Sequence, residues 1–364
     1  MTWDAIVVGA GMSGITAAQR LSQAGYRVLV LDKSRGLGGR MATRRVSWPD
    51  ATDSLVGPVT VPVDHGCRFI QPGGALEADW PTDWLAQGIL QPWQPAEFSL
   101  GADGRWQPRT QTTDPGPYYV APQGMNTFAK ALATGLSIQR QSRVTQVTPT
   151  DQGWRVDWVE GAEEALAEPL KARTVVLALP AGQIVSLVAA NQHPALEPFL
   201  AAAEAVIFDP VITVMAGYAP TAPTHLTEPN PAGWMGWGQG HPVLRWIALD
   251  SGKRPEPPYP VVVAHSTASF AHDHFEAENL DAVGQHILEQ AAQSLEPWLG
   301  QPDWMQVHRW RYGFVKKAHP TEILVTEAVP TLVGCGDWCV GTGAEGALRS
   351  GAAAAQHIIQ NLEP

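Results

Sequence analysis

Apolar runs broken by glycine indicate alternating strands and a helix at the start of the chain. Asp4–Val8 (DAIVV) is a short apolar run that stops at the glycine-rich GAGMSG. Ser13–Ala24 then carries apolar residues at helical spacing, and Tyr26–Asp32 (YRVLVLD) is a β-branched run of the kind found in buried parallel strands. Strand, turn, helix and strand together predict one βαβ unit.

Further along, the same periodicities predict shorter elements separated by irregular segments. Helices are expected at Met125–Ala133, Leu280–Leu295 and Ala344–Asn361, and strands at Ser137–Val147, Trp154–Trp158, Thr174–Leu179, Val261–His265 and Thr331–Val333. A loop over Ser47–Pro62 precedes a strand in VPVDHGCRFI. Residues 72–117 indicate short helices and loops, and residues 220–260 either an elaborate loop system or the irregular edge of a second sheet.

Composition narrows the class of protein. Of the 364 residues, 45% are hydrophobic and 16% charged, so the chain can bury a sizeable core. The formal net charge of -11 argues against general nucleic-acid binding, which needs a basic face. Any anionic ligand must therefore be bound at a local site.

Cysteine content and hydropathy indicate the compartment. Three cysteines, Cys67, Cys335 and Cys339, cannot form a disulfide framework and fit a reducing cytosol; no metal site is expected from them. The longest uncharged stretch, Thr174–Pro194, is interrupted by proline and glycine, which favours strand, turn and helix over a membrane span. We expect a cytoplasmic protein without a signal peptide, bound neither to membrane nor to nucleic acid, as a monomer or homodimer.

The first turn carries the pattern of a dinucleotide site. Gly9, Gly11 and Gly14 form GxGxxG directly after a strand and at the start of a helix. The first glycine permits a tight turn, the second lets backbone approach a pyrophosphate, and the third allows close helix packing. Asp32 ends the second strand, where a carboxylate accepts hydrogen bonds from ribose hydroxyls. This context predicts a bound dinucleotide, either NAD or FAD.

A basic loop favours FAD. SRGLGGRMATRR, residues 34–45, gathers four arginines in an acidic chain. Its paired glycines allow close approach of backbone, and Arg40 is predicted to bind the diphosphate as a bidentate donor. We place Lys33 and Arg35 near the adenosine end. Two roles remain open for Arg44 and Arg45: they reach the flavin's edge, or they pair with carboxylates in the fold, which is the favoured role.

The end of the chain supports FAD independently. Asp337 follows a strand and is predicted to bind ribitol hydroxyls, while the helix after it begins near Glu345. Backbone N–H groups of Glu345, Gly346 and Ala347 would face the flavin's pyrimidine edge, where a helix N-terminus stabilises negative charge. A closing helix packed by alanines is compatible with this role.

Four segments together resemble the renalase family of FAD-dependent oxidoreductases, which is related to the flavin amine oxidases. They are VVGAGMSGITAAQRL, DKSRGLGGRMATRR, the DHG at 64–66, and GDWCVGTGAEGALRSGAAAA. The resemblance covers about the first 70 residues, the last 30 and, more loosely, residues 119–180. Cys67 departs from the alanine that related chains commonly carry there.

This resemblance implies a fold, a cofactor and a reaction. The fold class is α/β, with a Rossmann-type FAD-binding domain and an interleaved antiparallel-sheet substrate domain, similar to p-hydroxybenzoate hydroxylase. The expected FAD domain comprises residues 1–75, 120–182 and 322–364, and the substrate domain residues 76–119 and 183–321. Non-covalent FAD would oxidise 2- and 6-dihydro isomers of NAD(P) by hydride transfer to flavin N5, and O2 would reoxidise the flavin and give H2O2.

The resemblance also nominates residues. His265 and Trp310 align with positions on the substrate side of the flavin, Tyr312 and Trp246 are further candidates, and His65 is expected to contact the flavin. The remaining predicted cofactor contacts are Ala10, Met12, Ser13, Gly39, Met41, Ala42, Gly66 and Val144. Two alternatives remain open: a flavin amine oxidase or desaturase, for which no lysine near N5 is identifiable, and a non-enzymatic FAD-binding protein.

Overall fold

A computed structural model gives the architecture of the chain. It describes residues 2–48, 59–71, 82–100, 105–109, 117–161, 165–191, 193–222, 226, 229–326, 331–339, 341 and 343–363. Parts of the predicted loop at 47–62 and of the irregular segment 72–117 lie outside these residues. In the described part of the chain, no helix is both long and apolar enough to cross a membrane.

Strands and helices alternate at both ends of the chain, and strands dominate its middle. The strands are β1 (Thr2–Val8), β2 (Val28–Asp32), β3 (Thr43–Ser47), β4 (Thr60–Asp64), β5 (Gln91–Trp93), β6 (Ala96–Leu100), β7 (Trp106–Pro108), β8 (Tyr118–Val120), β9 (Ile138–Arg140), β10 (Ser142–Thr150), β11 (Gly153–Glu160), β12 (Ala165–Leu166), β13 (Leu170–Leu177), β14 (Ile207–Gly217), β15 (Trp234–Trp237), β16 (Leu244–Leu249), β17 (Val261–Ser266), β18 (Trp304–Lys317), β19 (Leu324–Val325) and β20 (Leu332–Gly334). The helices are α1 (Met12–Gln23), α2 (Thr82–Ala86), α3 (Asn126–Leu132), α4 (Ala181–Val188), α5 (Glu197–Glu204), α6 (Ala268–His274), α7 (Leu280–Ser294) and α8 (Gly343–Asn361).

The first sheet contains the predicted βαβ unit. Its main path is β10-β11-β13-β1-β2-β9, with β20 beside β13, and β1 pairs in parallel with both β2 and β13. The central strands are buried on both faces, as continuous apolar runs require. Helices α1 and α8 pack closely because Gly351 has no side chain: a Cβ there would lie 2.2 Å from the Ser13 carbonyl oxygen.

The second sheet has seven strands in the order β18-β14-β17-β16-β15-β6-β7. All its pairs are antiparallel except β15 with β6. Helices α6 and α7 pack on it through a separate hydrophobic core. Both the α/β fold class and the separate sheet-rich part are as the sequence predicts.

Some predictions about individual elements were wrong. Among the described residues of the segment 220–260, β15 and β16 are strands inside the second sheet and not at its edge, and loops connect them. The strand expected over 137–147 is two strands, because Gln141 between them has a φ of 55°. The strand in VPVDHGCRFI ends at Asp64. The long strands β14 and β18 were not predicted.

We propose the two-domain division with one change of boundary. Helices α4 and α5 lie within residues 183–321 for most of their length, yet they pack in the same hydrophobic core as β1, β2 and β13. Placing both helices with the first sheet therefore moves the boundary from residue 182 to about residue 206 and leaves the second sheet whole.

Candidate functional site

One large cavity has walls from both sheets. Its volume is about 1620 Å³, beyond the roughly 300–1,000 Å³ of ordinary small-molecule pockets. The β1–α1 turn, the end of β2 and the start of α8 line one part, and β16, β17 and β18 line the other. The cavity is large enough for a dinucleotide and a second ligand together.

The glycine turn after β1 has the geometry that close approach of a dinucleotide needs. Gly9 has a φ of +106°, and a Cβ there would lie 2.5 Å from the Ala178 carbonyl oxygen. At Gly14 a Cβ would lie 2.0 Å from the Gly9 carbonyl oxygen, so this glycine allows helix and strand to pack. Gly11 lines the cavity and would have no atom within 4 Å of its Cβ. The missing side chain at Gly11 therefore leaves room for a ligand.

Asp32 is held in place at the end of β2. Its two oxygens accept backbone N–H groups from Ala10, at 2.6 Å, and Ser34, at 2.7 Å. Each carboxylate oxygen has a second lone pair for a hydroxyl group. Arg35 points elsewhere: it is exposed and outside the cavity lining, and its carbonyl oxygen accepts from Arg140 at 3.1 Å.

Arg40 and Asp337 form a salt bridge across the cavity lining. The guanidinium also reaches the backbone carbonyl oxygens of Tyr312, at 3.4 Å, and Gly313, at 3.5 Å, on β18. Gly38 and Gly39, with φ values of 101° and 54°, turn the chain into this position. Two residues predicted to bind different parts of FAD thus lie side by side.

The N-terminus of α8 opens onto the cavity. The helix begins at Gly343, two residues before the predicted start, and Glu345, Gly346 and Ala347 line the cavity. The Glu345 carboxylate accepts the backbone N–H of Gln71. Burial raises the pKa of this carboxyl group. A helix N-terminus here presents backbone donors to a ligand.

Two histidines and a tryptophan meet where β4 ends. The indole N–H of Trp310 donates to the His65 carbonyl oxygen at 2.9 Å, and the His308 ring lies 4.3 Å from the Trp310 ring. Burial, with His308 and Arg44 nearby, lowers the pKa of His65 to about 4. His65 is therefore uncharged at neutral pH.

His265 on β17 lies deeper in the cavity. The residue is buried, and neither ring nitrogen has a hydrogen-bond partner among the described residues. Burial, together with Arg68 and other nearby cations, holds the pKa of His265 well below its ordinary value. The ring lies 5.2 Å from that of Trp246, which is buried behind it and is not part of the lining. A neutral imidazole with free nitrogens can both donate to and accept from a ligand.

Sequence reasoning missed several lining residues on the substrate side. Arg68, Trp237, Arg245 and Phe314 all line the cavity. Arg68 follows the DHG segment by two positions, and Arg245 precedes Trp246. The tryptophans and arginines of the middle of the chain carry no motif, so only the pairing of β15, β16 and β18 in one sheet reveals them.

Most predicted site residues lie around this one cavity, although their predicted contacts remain proposals. Those lining it are Gly9, Gly11, Met12, Ser13, Asp32, Lys33, Gly39, Arg40, Met41, Ala42, His65, Gly66, Val144, His265, Trp310, Tyr312, Asp337, Glu345, Gly346 and Ala347. Those outside the lining are Ala10, Gly14, Arg35 and Trp246. Arg44, whose role the sequence left open, donates to the Gln306 side-chain oxygen at 2.8 Å.

Comparison with known proteins places the chain in a family. Residues 7–79 match the NAD(P)-binding Rossmann-like domain, and residues 94–359 match the family described as flavin-containing amine oxidoreductase. Among curated relatives, the L-amino-acid oxidase of Echis ocellatus is 44% identical over 62 residues, which are 17% of this chain and 12% of that protein. The L-amino acid dehydrogenase of Synechocystis is 43% identical over 58 residues, 15% of this chain and 12% of that protein. The matched segment thus spans about an eighth of the length of these relatives.

Solved structures share the fold at low identity. Cyclohexylamine oxidase from Brevibacterium oxydans has a TM-score of 0.72, 13% identity and complete coverage of both chains. Wild-type putrescine oxidase bound to putrescine has a TM-score of 0.68 and 16% identity, over 99% of this chain and 100% of that chain. At such identities the likeness shows the fold alone. The site fits a flavin dinucleotide through the open turn at Gly11, the fixed Asp32 carboxylate and the exposed start of α8. Together with the match over residues 94–359, this fit shows that the chain belongs to the flavin-containing amine oxidoreductase family and uses FAD as its cofactor.

Proposed function

We propose that this protein is an FAD-dependent oxidase whose hydride donors are dihydropyridines, with the 2- and 6-dihydro isomers of NAD(P) as substrates. The renalase-like segments of the sequence support this assignment, and the electrostatics of the cavity support it separately. The proposed products are NAD(P)+ and H2O2.

The charge of the substrate side is the observation that carries the proposal. Among the described lining residues contributed by the second sheet, every charged side chain is an arginine: Arg245, Arg309 and Arg311. Arg245 is half-buried, whereas Arg309 and Arg311 are exposed; Arg309 donates to the Phe275 carbonyl oxygen, and Arg311 pairs with Glu276. Arg68 adds a fourth cation from the loop after β4. The lining carboxylates, Asp32, Asp337 and Glu345, all come from the dinucleotide side. An ammonium substrate would be repelled here, whereas a neutral dihydropyridine carrying a diphosphate would be attracted.

Aromatic side chains supply the surface for a flat ring. Trp237, Trp310, Tyr312 and Phe314 line the substrate side. Phe314 is held under the Arg245 guanidinium at 3.9 Å, and Trp310 is fixed by its bond to the His65 carbonyl oxygen. Rigid aromatic walls position a ring by stacking, which is the main requirement when no proton has to be removed from carbon.

Proton handling is correspondingly limited. When bound, FAD supplies the two-electron acceptor, taking a hydride from the donor and passing two electrons with two protons to O2. The neutral His265 can hydrogen-bond a carbonyl group on the substrate, since both its ring nitrogens are available. Among the described residues, Lys33 is the one lysine that lines the cavity, and it lies at the dinucleotide end. No lysine of the described lining is therefore placed for the water-mediated role that amine oxidases commonly give one.

Turnover stoichiometry tests the proposal. The purified holoprotein is supplied with 6-dihydro-NAD in air, and O2 uptake, H2O2 and NAD+ are measured together. We expect one O2 consumed and one H2O2 formed for each NAD+. Formation of NAD+ without O2 uptake, or no oxidation of either isomer under conditions where an amine is oxidised, would contradict the proposal.

A second candidate function is oxidation of an amino acid. The observation in its favour is that Arg68 and Arg245 can pair with a substrate carboxylate. An L-amino acid that reduces the flavin, with the dihydropyridine isomers inert, would establish this reaction in place of the proposed one.

A further inference from the structure

The substrate side contains a built anion site that motif analysis did not find. We infer that Arg68 and Arg245 bind a carboxylate carried by the substrate's ring, so that a dihydropyridine whose ring carries a carboxylate is preferred over dihydro-NAD(P), which is still oxidised but carries the corresponding carboxamide. The identification of the substrate's ring as a dihydropyridine rests on the proposed function. The carboxylate site itself is argued from the cavity alone.

Arg68 is surrounded by aromatic rings and has one buried donor atom without a partner among the described residues. Its guanidinium lies among four aromatic rings, 4.9 Å from Trp237, 5.3 Å from Phe314, 5.4 Å from Phe69 and 5.5 Å from Trp246. Its Nη1 atom is buried and has no hydrogen-bond partner among the described residues. A buried donor of this kind costs free energy unless a ligand satisfies it.

Arg245 reinforces the positive charge. It lies over the same Phe314 ring, 3.9 Å from the ring centre, and lines the cavity. Burial, followed by repulsion from Arg245, lowers the pKa of Arg68 to about 10, so Arg68 remains cationic at neutral pH. Two cations placed together in an aromatic pocket repel each other, and an anion between them removes that repulsion.

The described residues supply no carboxylate to pair with either arginine. Within the described part of the chain, no carboxylate oxygen lies within 4 Å of the Arg68 or Arg245 side-chain nitrogens. Glu345 attracts Arg68 and Asp209 attracts Arg245 from a distance, but the Glu345 carboxylate accepts the Gln71 N–H, and Asp209 lies 4.0 Å from the Lys316 ammonium. The counter-charge is therefore expected from the ligand.

The shape of the site favours a carboxylate over a phosphate. A guanidinium pairs with a carboxylate in one plane through two parallel hydrogen bonds. The Arg68 guanidinium lies 4.9 Å from the Trp237 ring and 5.3 Å from the Phe314 ring, and these aromatic surroundings suit a flat ring that carries the carboxylate. Arginine–carboxylate pairing is also stronger than pairing with a neutral carboxamide oxygen.

Ligand binding to the oxidised holoprotein tests the inference without turnover. Nicotinate and nicotinamide are titrated separately, and the change in flavin absorbance gives each dissociation constant. We expect nicotinate to bind at least about tenfold more tightly. Arg68→Gln and Arg245→Gln should each reduce that preference, while Arg155→Gln, an exposed arginine paired with Asp157 outside the cavity, should leave it unchanged.

Several results would overturn the inference. Equal affinities in the parent protein would do so, as would a preference that survives in both cavity variants. A shifted flavin potential in Arg68→Gln with an unchanged nicotinate preference would show that Arg68 acts on the flavin instead. If Arg68→Gln fails to retain FAD, Arg245→Gln and Arg68→Lys still decide the question. Failure of dihydropyridines to reduce the flavin, with nicotinate still preferred, would remove the proposed function and leave the carboxylate site standing.

Discussion

The two sides of the cavity recognise ligands by different means. On the dinucleotide side, the turn at Gly9–Gly14 and the start of α8 present backbone, and carboxylates such as Asp32 are fixed by backbone N–H groups. On the substrate side, recognition belongs to side chains: Arg68, Arg245 and His265 project from separate elements into an aromatic chamber. Backbone recognition needs small residues at fixed spacing, whereas side-chain recognition needs only that strands meet in space. The residues of the dinucleotide side can therefore be predicted from the sequence, whereas those of the substrate side are identified only from the fold.

A buried ion cluster connects the two sides, and its disruption should have the largest effect. Lys253 Nζ lies 2.6 Å from Asp250 and 3.6 Å from Asp64, and the Arg254 guanidinium lies 2.7 Å from Asp64. Although burial alone would raise it, Arg254 and Lys253 hold the pKa of Asp64 below its ordinary value. Lys253→Met leaves two buried carboxylates with one cation, and we expect a loss of about 3–5 kcal/mol in the free energy of unfolding.

Urea unfolding at a fixed FAD concentration, followed by tryptophan fluorescence, measures this loss. Lys316→Met is the matched control, because its ammonium is exposed and 4.0 Å from Asp209. The control should change stability by less than about 0.5 kcal/mol. Equal effects of the two substitutions would show that the cluster does not stabilise the junction.

Acid should weaken the same junction through His65. The His65 pKa of about 4 in the folded protein lies below the ordinary value of 6.5. Between these two pH values the unfolded chain is protonated at His65 and the folded protein is not. Stability contributed by this group is thus complete above pH 6.5 and is lost as the pH falls from 6.5 to 4, by about 3 kcal/mol. His65→Asn should flatten the dependence of unfolding free energy on pH in this window. The exposed His272→Asn is the control, and identical slopes for parent and His65→Asn would refute the assignment.

On the dinucleotide side, Gly11→Ala and Gly14→Ala distinguish a glycine that leaves room for the ligand from a glycine that allows the protein to pack. Gly11→Ala adds a methyl group where no protein atom lies within 4 Å, at a φ of -77° that alanine tolerates. We expect FAD affinity to fall at least about tenfold, or about 1.4 kcal/mol, with the apoprotein's melting temperature unchanged. Gly14→Ala should instead lower the apoprotein's stability, because its Cβ would lie 2.0 Å from a backbone oxygen. A Gly11→Ala protein that binds FAD normally would contradict this division.

The smallest effect is expected at Arg45. This residue is exposed on β3, although it belongs to the basic loop that first indicated FAD. Arg45→Ala should retain FAD and change the unfolding free energy by less than about 0.5 kcal/mol. Loss of FAD from this variant, measured by the flavin-to-protein absorbance ratio, would place Arg45 in the cofactor site.

The extent of sequence prediction follows the same division. The sequence signals of the dinucleotide side are local: the GxGxxG motif, the acid at Asp32 and the glycines before Arg40. Each of them forms a turn, or allows backbone to approach a ligand, within a few residues. β14 and β18 were missed although they pair along most of their length at one edge of the second sheet, since β18 (WMQVHRWRYGFVKK) is half-buried along its length and lacks a clean alternation. Arg68 and Arg245 are 177 positions apart in sequence, and only tertiary packing brings their charges together. The family resemblance also named Trp246 as a further candidate, and its buried ring lies 5.2 Å from that of His265, outside the described lining.

Anaerobic mixing tests the central claim, that the substrate side accepts dihydropyridines and rejects ammonium ions. The oxidised holoprotein is mixed in the absence of O2 with 2- or 6-dihydro-NAD(P), with ordinary NADH, and with cyclohexylamine or putrescine, and flavin absorbance is followed. We expect a 2- or 6-dihydro isomer to bleach the flavin absorbance rapidly, whereas both amines and ordinary NADH bleach it slowly or not at all. A flavin that stays oxidised for minutes with those isomers, while an amine bleaches it, would contradict the account.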